Sequence, residues 1–123
     1  MCGIVGGYGA MEAETAARMM GRIAHRGPDE DGLVEVAGNT LGHRRLSIVD
    51  VEGGKQPLTT PEKSLYLVGN GEVYNHQEIL ETLEDRNMTT RSDNEVALRM
   101  VAERGPDALS ASTTRASTPP RTP

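Results

Sequence analysis

The segment Cys2-Gly3-Ile4-Val5-Gly6-Gly7 is the most informative part of this 123-residue chain. Its mixture of aliphatic residues and glycines predicts a short buried strand over residues 3–8, close to another backbone. Cys2, directly before that strand, is the only cysteine. A small residue at position 2 normally permits removal of the initiator Met1, so we expect Cys2 to carry both a thiol nucleophile and a free α-amine as its base. The alternative is a surface thiol without a function.

Beyond this segment, strand and helix patterns mix and hairpins are prominent, which predicts an α+β fold. Apolar residues at helical spacing predict an amphipathic helix over residues 12–24. Two possible capping boxes, Asn75 with Glu78 and Ser92 with Glu95, predict the starts of two more helices, which end near residues 83 and 105. The remaining expectations are a hairpin of residues 33–36 and 40–44, an extended segment 46–50, a loop 52–61 and a strand 64–68.

Composition excludes several classes of function. The net charge is −5 and no basic cluster occurs, so neither nucleic acid nor an anionic membrane is an expected partner. No apolar run approaches the ~20 residues that span a bilayer. A single cysteine fits a reducing compartment and predicts a cytoplasmic protein. The chain has no Phe and no Trp, so either its core is small and aliphatic or part of a core is missing.

The character of the chain changes near residue 110. Residues 110–123 consist only of Ser, Thr, Pro, Ala and Arg. Such a segment buries too little apolar surface to offset its chain entropy, which predicts a disordered tail. We therefore expect one domain over residues 2–109 and a tail over residues 110–123.

Three further positions have a chemical and a purely structural interpretation. Asn70-Gly71 offers a side-chain amide and a backbone N–H, the donors of an oxyanion hole, but Asn-Gly is also a common hairpin turn. Arg45 could bind a carboxylate or be a solvated strand charge. Asp93 could receive an ammonium group or interact with the dipole of its helix. Each position, taken alone, favours the structural interpretation.

Metal and dinucleotide sites are not expected. Histidines 25, 43 and 76 lack metal-ligand spacing, and no second cysteine accompanies them. His76 is expected in the first turn of its helix, and the other two in hydrogen bonds within loops and strands. The glycines near the N-terminus lack the strand-to-helix context of a dinucleotide fingerprint.

Taken together, six segments in register resemble the glutamine amidotransferase type 2 family, whose domains are N-terminal-nucleophile hydrolases. Within that family the amino-acid sequence of these segments is most similar to asparagine synthetases, because of Arg45-Leu46-Ser47-Ile48-Val49-Asp50 and Gln56-Pro57-Leu58. The joint pattern favours the chemical interpretation of each position above. The six matching segments are residues 1–6, 25–29, 42–50, 56–58, 70–76 and 92–96.

The resemblance implies a role for each matching residue. Cys2 would attack the side-chain amide of glutamine, with its own α-amine as base. Asn70 and the Gly71 N–H would stabilise the tetrahedral oxyanion. Arg45 would hold the α-carboxylate, and Asp93 and the region of Glu72 would contact the α-amino group. Water would then hydrolyse the glutamyl thioester to glutamate, after release of ammonia.

The resemblance also implies an αββα sandwich of which this chain matches only the first half, to about residue 110. The Phe-rich second half and the synthetase domain, with its ATP and magnesium site, have no counterpart here, so no cofactor is expected in this chain. We therefore expect glutamine as substrate and a synthetase domain or subunit as partner. The alternatives are an inactive truncated or frame-shifted remnant and a glutamine-binding module without turnover.

Overall fold

The computed structural model describes residues 2–46, 54–111 and 114–116. A three-stranded antiparallel sheet in the order β1-β3-β2 forms the first half. Its strands are β1 (Gly3–Gly7), β2 (Glu30–Val36) and β3 (Asn39–Arg45). The predicted hairpin is confirmed, since β2 pairs with β3 from Glu30↔Arg45 to Val36↔Asn39. Its two-residue turn has positive φ at both positions, 51° at Ala37 and 77° at Gly38, as the twist of a tight hairpin requires.

Helix α1 (Ala13–Arg22) covers one face of this sheet and lies within the predicted range 12–24. Ala16 and Met20 form its buried side. The helix lies close to the strands because glycines face it: a Cβ on Gly42 would lie 2.7 Å from Met20 Sδ. The amphipathic pattern therefore placed the helix correctly, but of its apolar residues Ala13 and Ala17 are exposed and only Ala16 and Met20 are buried.

The second half is built around helix α3 (Asp93–Arg104), which packs against α2 (His76–Thr82) and the short strand β6 (Gly71–Val73). A 3-10 helix, Pro106–Ala111, follows α3. Met100, in the middle of α3, is fully buried. The aliphatic core here consists of Val73, Ile79, Leu83, Val96, Ala97 and Met100. The mixture of helices with antiparallel sheet confirms the α+β prediction.

Both capping boxes differ from the prediction, although both helices start where expected. Asn75 precedes α2 without a side-chain cap. The Ser92 hydroxyl does accept a hydrogen bond from Asn94 N, but the Glu95 carboxylate turns away from Ser92. It accepts instead from Thr89 N and Thr90 N, so Glu95 holds the preceding loop rather than the helix end.

The middle of the chain is more regular than the sequence predicts. Within the expected loop 52–61, Leu58–Thr59 forms strand β4, and it pairs with β5 (Tyr66–Leu67). The predicted strand 64–68 is therefore shortened to two residues. The predicted extended segment 46–50 lies outside the described residues apart from Leu46.

The predicted tail is described only in part. Ser110 and Ala111 end the 3-10 helix, and Thr114–Ala116 forms strand β7, which pairs with β6. Backbone pairing needs no apolar side chain, which is why composition did not indicate it at these three residues. Residues 112–113 and 117–123 lie outside the described residues, so the boundary at residue 110 stays a prediction. In the described ranges, every helix is too short or too polar to cross a bilayer.

Candidate active site at the end of strand β3

Cys2 lies half-buried just before β1, against the end of the central strand β3. β1 pairs with β3 from Gly3↔Arg44 onward, so Cys2 comes opposite the residues that follow Arg44. The Leu46 N–H donates to Cys2 Sγ at 3.4 Å. The Cys2 carbonyl accepts from Arg26 Nε at 3.1 Å. The backbone carbonyl and the sulfur of this residue are therefore both hydrogen-bonded.

Arg26 reaches Cys2 because residues 25–29 lie directly against β3. Asp29 N donates to Arg45 O at 3.0 Å, and Pro28 forms a parallel bridge with the same residue. Gly27 makes this approach possible, since a Cβ there would lie 2.2 Å from the carbonyl carbon of Arg44. Residues 25–29, between α1 and β2, therefore pack beside Cys2.

Arg45, the predicted carboxylate ligand, is almost fully buried and already contacts a carboxylate. Its Nη1 donates to Glu30 Oε2 at 2.8 Å, across the register pair at the open end of the hairpin. The Arg45 side chain is 5% exposed and that of Glu30 is 32% exposed. The interpretation of Arg45 as a solvated strand charge is therefore wrong, and Glu30 is a neighbour that the sequence did not indicate.

Asn70 and Gly71 do not form a hairpin turn. β5 pairs with β4 and β6 pairs with β7, so the segment between β5 and β6 connects two different sheets. Gly69, directly before Asn70, has both backbone groups engaged by side chains. Its N–H donates to Gln56 Oε1 at 2.6 Å, and its carbonyl accepts from His43 Nε2 at 3.2 Å. The sequence predicted a hydrogen bond for His43 but not its partner.

Glu72 lies on strand β6, and Asp93 lies at the start of helix α3, which packs against that strand. Asp93 begins α3, and its carboxylate accepts the Val73 N–H of β6. Asn94 Nδ2 donates to the Gly71 carbonyl at 3.3 Å. Glu72 lies between them on β6 and is exposed. The start of α3 therefore fixes β6, and Asp93 does more than interact with its own helix.

Two buried ionisable groups near this region have shifted pKa values. Burial lowers the pKa of His43, with the positive charge of Arg45 acting in the same direction and the hydrogen bond to Gly69 opposing it. For Glu95, burial alone would raise the pKa, but hydrogen bonds from Thr90, Thr89 and Arg99 outweigh it and lower the pKa. The fold therefore favours the neutral form of His43 and the ionised form of Glu95.

Cys2 and Arg45 lie at the end of β3, and Asn70 follows Gly69, which contacts His43 of the same strand. Cys2 contacts Leu46, Arg45 precedes it, and the Gly69 carbonyl meets His43, three residues before Leu46. Three residues of extended chain span about 10 Å. Asp93 contacts β6, which begins at Gly71 and carries Glu72. The roles assigned to these residues stay predictions. Sequence reasoning missed the supporting contacts of Arg26, Glu30, His43 and Gln56, although three of these four lie within the matching segments.

The described residues also form a pocket apart from the end of β3. A pocket of about 190 Å³ is lined by Thr60, Pro61, Glu62, Asp85, Arg99, Ala102 and Glu103, and none of these is a predicted site residue. Among the residues that the structure describes, no three His, Cys, Asp or Glu side chains come together in a way that could hold a metal ion.

Comparison with known proteins identifies the family of this chain. Residues 1–114 match the model of the glutamine amidotransferase domain. Asparagine synthetase B [glutamine-hydrolyzing] of Escherichia coli (strain K12) is 42% identical over 115 residues, which is 89% of this chain and 21% of that protein. Asparagine synthetase [glutamine-hydrolyzing] 1 of Bacillus subtilis (strain 168) is 42% identical over 107 residues, 80% of this chain and 17% of that protein.

A plant relative gives the same result. Asparagine synthetase [glutamine-hydrolyzing] 1 of Arabidopsis thaliana is 38% identical over 112 residues, 87% of this chain and 19% of that protein. The chain thus spans about a fifth of the length of these relatives. Because the family model matches nearly all of the chain, including every residue placed at the end of β3, the chain belongs to the glutamine amidotransferase domain family.

Proposed function

We propose that this chain hydrolyses the side-chain amide of glutamine, with Cys2 as nucleophile, and supplies the ammonia for asparagine synthesis. The observation that carries the proposal is the placement of Cys2. Its sulfur accepts a backbone N–H one residue beyond the buried Arg45, at the end of the strand whose His43 contacts the Gly69 carbonyl before Asn70. Amide hydrolysis by this route requires a nucleophile with a base and donors for the oxyanion, and a cation such as Arg45 would bind the α-carboxylate of the substrate.

The reaction begins after Met1 has been removed, which leaves an α-amine on Cys2. This amine takes the thiol proton as Sγ attacks the amide carbon, and the carbonyl oxygen becomes an oxyanion. Collapse of the tetrahedral intermediate breaks the C–N bond, and the ammonium group of Cys2 protonates the leaving nitrogen to give ammonia. Water, deprotonated by the same amine, attacks the thioester, releases glutamate and restores the thiol.

The other predicted residues bind the two ends of the substrate. Asn70 Nδ2 and the Gly71 N–H would donate to the oxyanion, and loss of one such donor costs about 2.7–4 kcal/mol of transition-state stabilisation. Arg45 is a buried guanidinium that would bind the α-carboxylate of glutamine in competition with Glu30, whose carboxylate its Nη1 contacts at 2.8 Å. Asp93, with the region of Glu72, would receive the α-amino group.

The asparagine part of the proposal rests on the relatives, whose printed names describe glutamine-hydrolysing asparagine synthetases. The chain spans about a fifth of their length, so the amidation step would belong to a synthetase domain or subunit as partner. ATP and magnesium would act in that partner, and the chemistry derived above for this chain uses neither.

The test is glutamate release from glutamine by the purified full chain, together with intact mass. We expect a mass without Met1, turnover by the wild type and none by Cys2→Ala. Hydroxylamine added during turnover should trap the thioester as γ-glutamyl hydroxamate. Cys2→Ser keeps the shape of the side chain with a poorer nucleophile and is expected to release glutamate much more slowly than the wild type.

Three results would contradict the proposal in different ways. Retention of Met1 would block the α-amine and remove the base. Turnover that persists in Cys2→Ala would assign the nucleophile to another residue. Glutamine binding by calorimetry without any turnover would favour a binding module instead of an enzyme.

A further inference from the structure

Both backbone groups of Gly69 are hydrogen-bonded to buried side chains from other parts of the chain. The N–H donates to Gln56 Oε1 at 2.6 Å and the carbonyl accepts from His43 Nε2 at 3.2 Å. Gln56 is 7% exposed and His43 is 1% exposed. Backbone groups in a connection between sheets are usually satisfied by water or by their own turn, so this arrangement is specific to the position before Asn70.

The contact determines the tautomer of His43. A carbonyl oxygen only accepts, so Nε2 must carry the hydrogen and Nδ1 is left as a bare acceptor. Nδ1 is buried and has no hydrogen-bond partner in the described structure. An apolar side chain of similar size would fill the space without that unsatisfied atom. What His43 provides at this position, and an apolar residue could not, is the hydrogen bond from its Nε2–H to the Gly69 carbonyl.

Gln56 is itself held against the hairpin. A Cβ on Gly32 of β2 would lie 2.1 Å from the Gln56 carbonyl oxygen, so these two backbones are in direct contact. His43 lies on β3, the central strand of the same sheet. The two side chains that bind Gly69 therefore lie on or against the β1-β3-β2 sheet, whose first strand follows Cys2.

We propose that His43 is a positioning residue that, together with Gln56, fixes the Gly69–Asn70 peptide and so aims the Asn70-Gly71 donors at the substrate oxyanion. The inference rests on the proposed function. The Gly69 carbonyl and the Asn70 N–H belong to one planar peptide, so holding the carbonyl sets the direction in which the chain enters Asn70. On the far side, Asn94 Nδ2 holds the Gly71 carbonyl at 3.3 Å. The two predicted donors therefore lie between two anchored carbonyls.

Two isosteric variants separate this role from general packing. His43→Gln places an amide N–H₂ where Nε2 lies, whereas His43→Asn has a shorter side chain whose amide matches Nδ1 and stops short of Gly69. Since donor placement acts on the transition state, we expect kcat of His43→Asn to fall by about 10- to 100-fold with KM for glutamine within about threefold. His43→Gln should keep kcat within about threefold of the wild type.

A second measurement does not depend on turnover. Nitrogen-15 NMR of the full chain should show hydrogen on Nε2 of the His43 ring. The amide signals of Asn70 and Gly71 should shift or broaden in His43→Asn and return in His43→Gln, while that of the buried Leu98 stays in place. Equal kcat and unchanged Asn70 and Gly71 signals in His43→Asn would overturn the inference, as would hydrogen on Nδ1. A wild type without glutaminase activity would refute the proposed function, and the ring and amide signals would still decide the positioning role.

Discussion

Replacing Glu95 by alanine is expected to destabilise the chain severely, because its carboxylate is the centre of a buried network. Glu95 is 1% exposed. Oε1 accepts from Thr89 N at 2.8 Å and from Arg99 Nη2 at 3.2 Å, and Oε2 accepts from Thr90 N and Thr90 Oγ1, both at 2.6 Å. Four donors on one buried carboxylate leave none of its four acceptor positions for water.

The magnitude follows from what the deletion leaves behind. In Glu95→Ala, two loop N–H groups lose their acceptor, and the Arg99 guanidinium, 8% exposed, keeps only Asp85 at 3.8 Å as a carboxylate partner. Removing one partner of a buried ion pair costs about 3–5 kcal/mol, a large part of a typical total of about 5–15 kcal/mol. Arg99→Met should cost less, about 1–3 kcal/mol, because Glu95 keeps three of its four donors.

Urea unfolding at pH 7, followed by far-ultraviolet circular dichroism, measures both free energies of unfolding, provided that the m-value is unchanged. The exposed Glu81 of α2 serves as control, and Glu81→Ala should change stability by less than about 0.5 kcal/mol. The folded pKa of Glu95 is lowered, so its contribution is present above the reference value of 4.5 and is lost as pH falls through the folded pKa. The reasoning is refuted if Glu95→Ala costs under about 1 kcal/mol or less than Arg99→Met.

The remaining predictions concern the core, the cation and the histidine. Met100→Ala, at a position without exposed surface, should cost about 2–5 kcal/mol in the same unfolding assay, and a smaller loss would mean that the core collapses around the cavity. Glu30→Gln removes a negative charge beside Arg45 and should lower KM for glutamine by about two- to fivefold. The control Asp31→Asn, on the same strand, should leave KM unchanged. A raised KM in Glu30→Gln would contradict the role of Arg45. Because the pKa of His43 is lowered, folding favours its neutral form, so the free energy of unfolding should fall as pH drops below 6.5. His43→Gln should reduce this dependence of stability on pH. An equal dependence in wild type and variant would refute the assignment of the effect to His43.

Local patterns predicted the elements whose formation depends on neighbouring residues. The strand-like residues 33–36 and 40–44, separated by a short turn, predicted the β2–β3 hairpin, and the two positive-φ residues of that turn match its twist. Helix α1 likewise followed from apolar spacing. The six matching segments, read together, identified the family before any contact was known.

Contacts that arise only on tertiary packing were beyond such patterns, whether the partners lie near or far along the chain. Ser92 and Glu95 have the spacing of a capping box, yet Glu95 binds the loop before the helix, since a buried carboxylate takes the donors that surround it in three dimensions. The short pairs β4–β5 and β6–β7 likewise depend on backbone hydrogen bonds that leave no trace in composition.

The sequence by itself determined which chemical groups are present and in what order: one thiol at position 2, an Asn-Gly donor pair, and a strand that ends in arginine. Only the tertiary structure decided how these groups are held, with Leu46 N–H on the Cys2 sulfur, Glu30 on Arg45, and His43 on the carbonyl before Asn70. The physical reason is that residue types follow from the chain alone, whereas each of these hydrogen bonds joins residues 15 to 44 positions apart, which come into contact only when the sheet has formed.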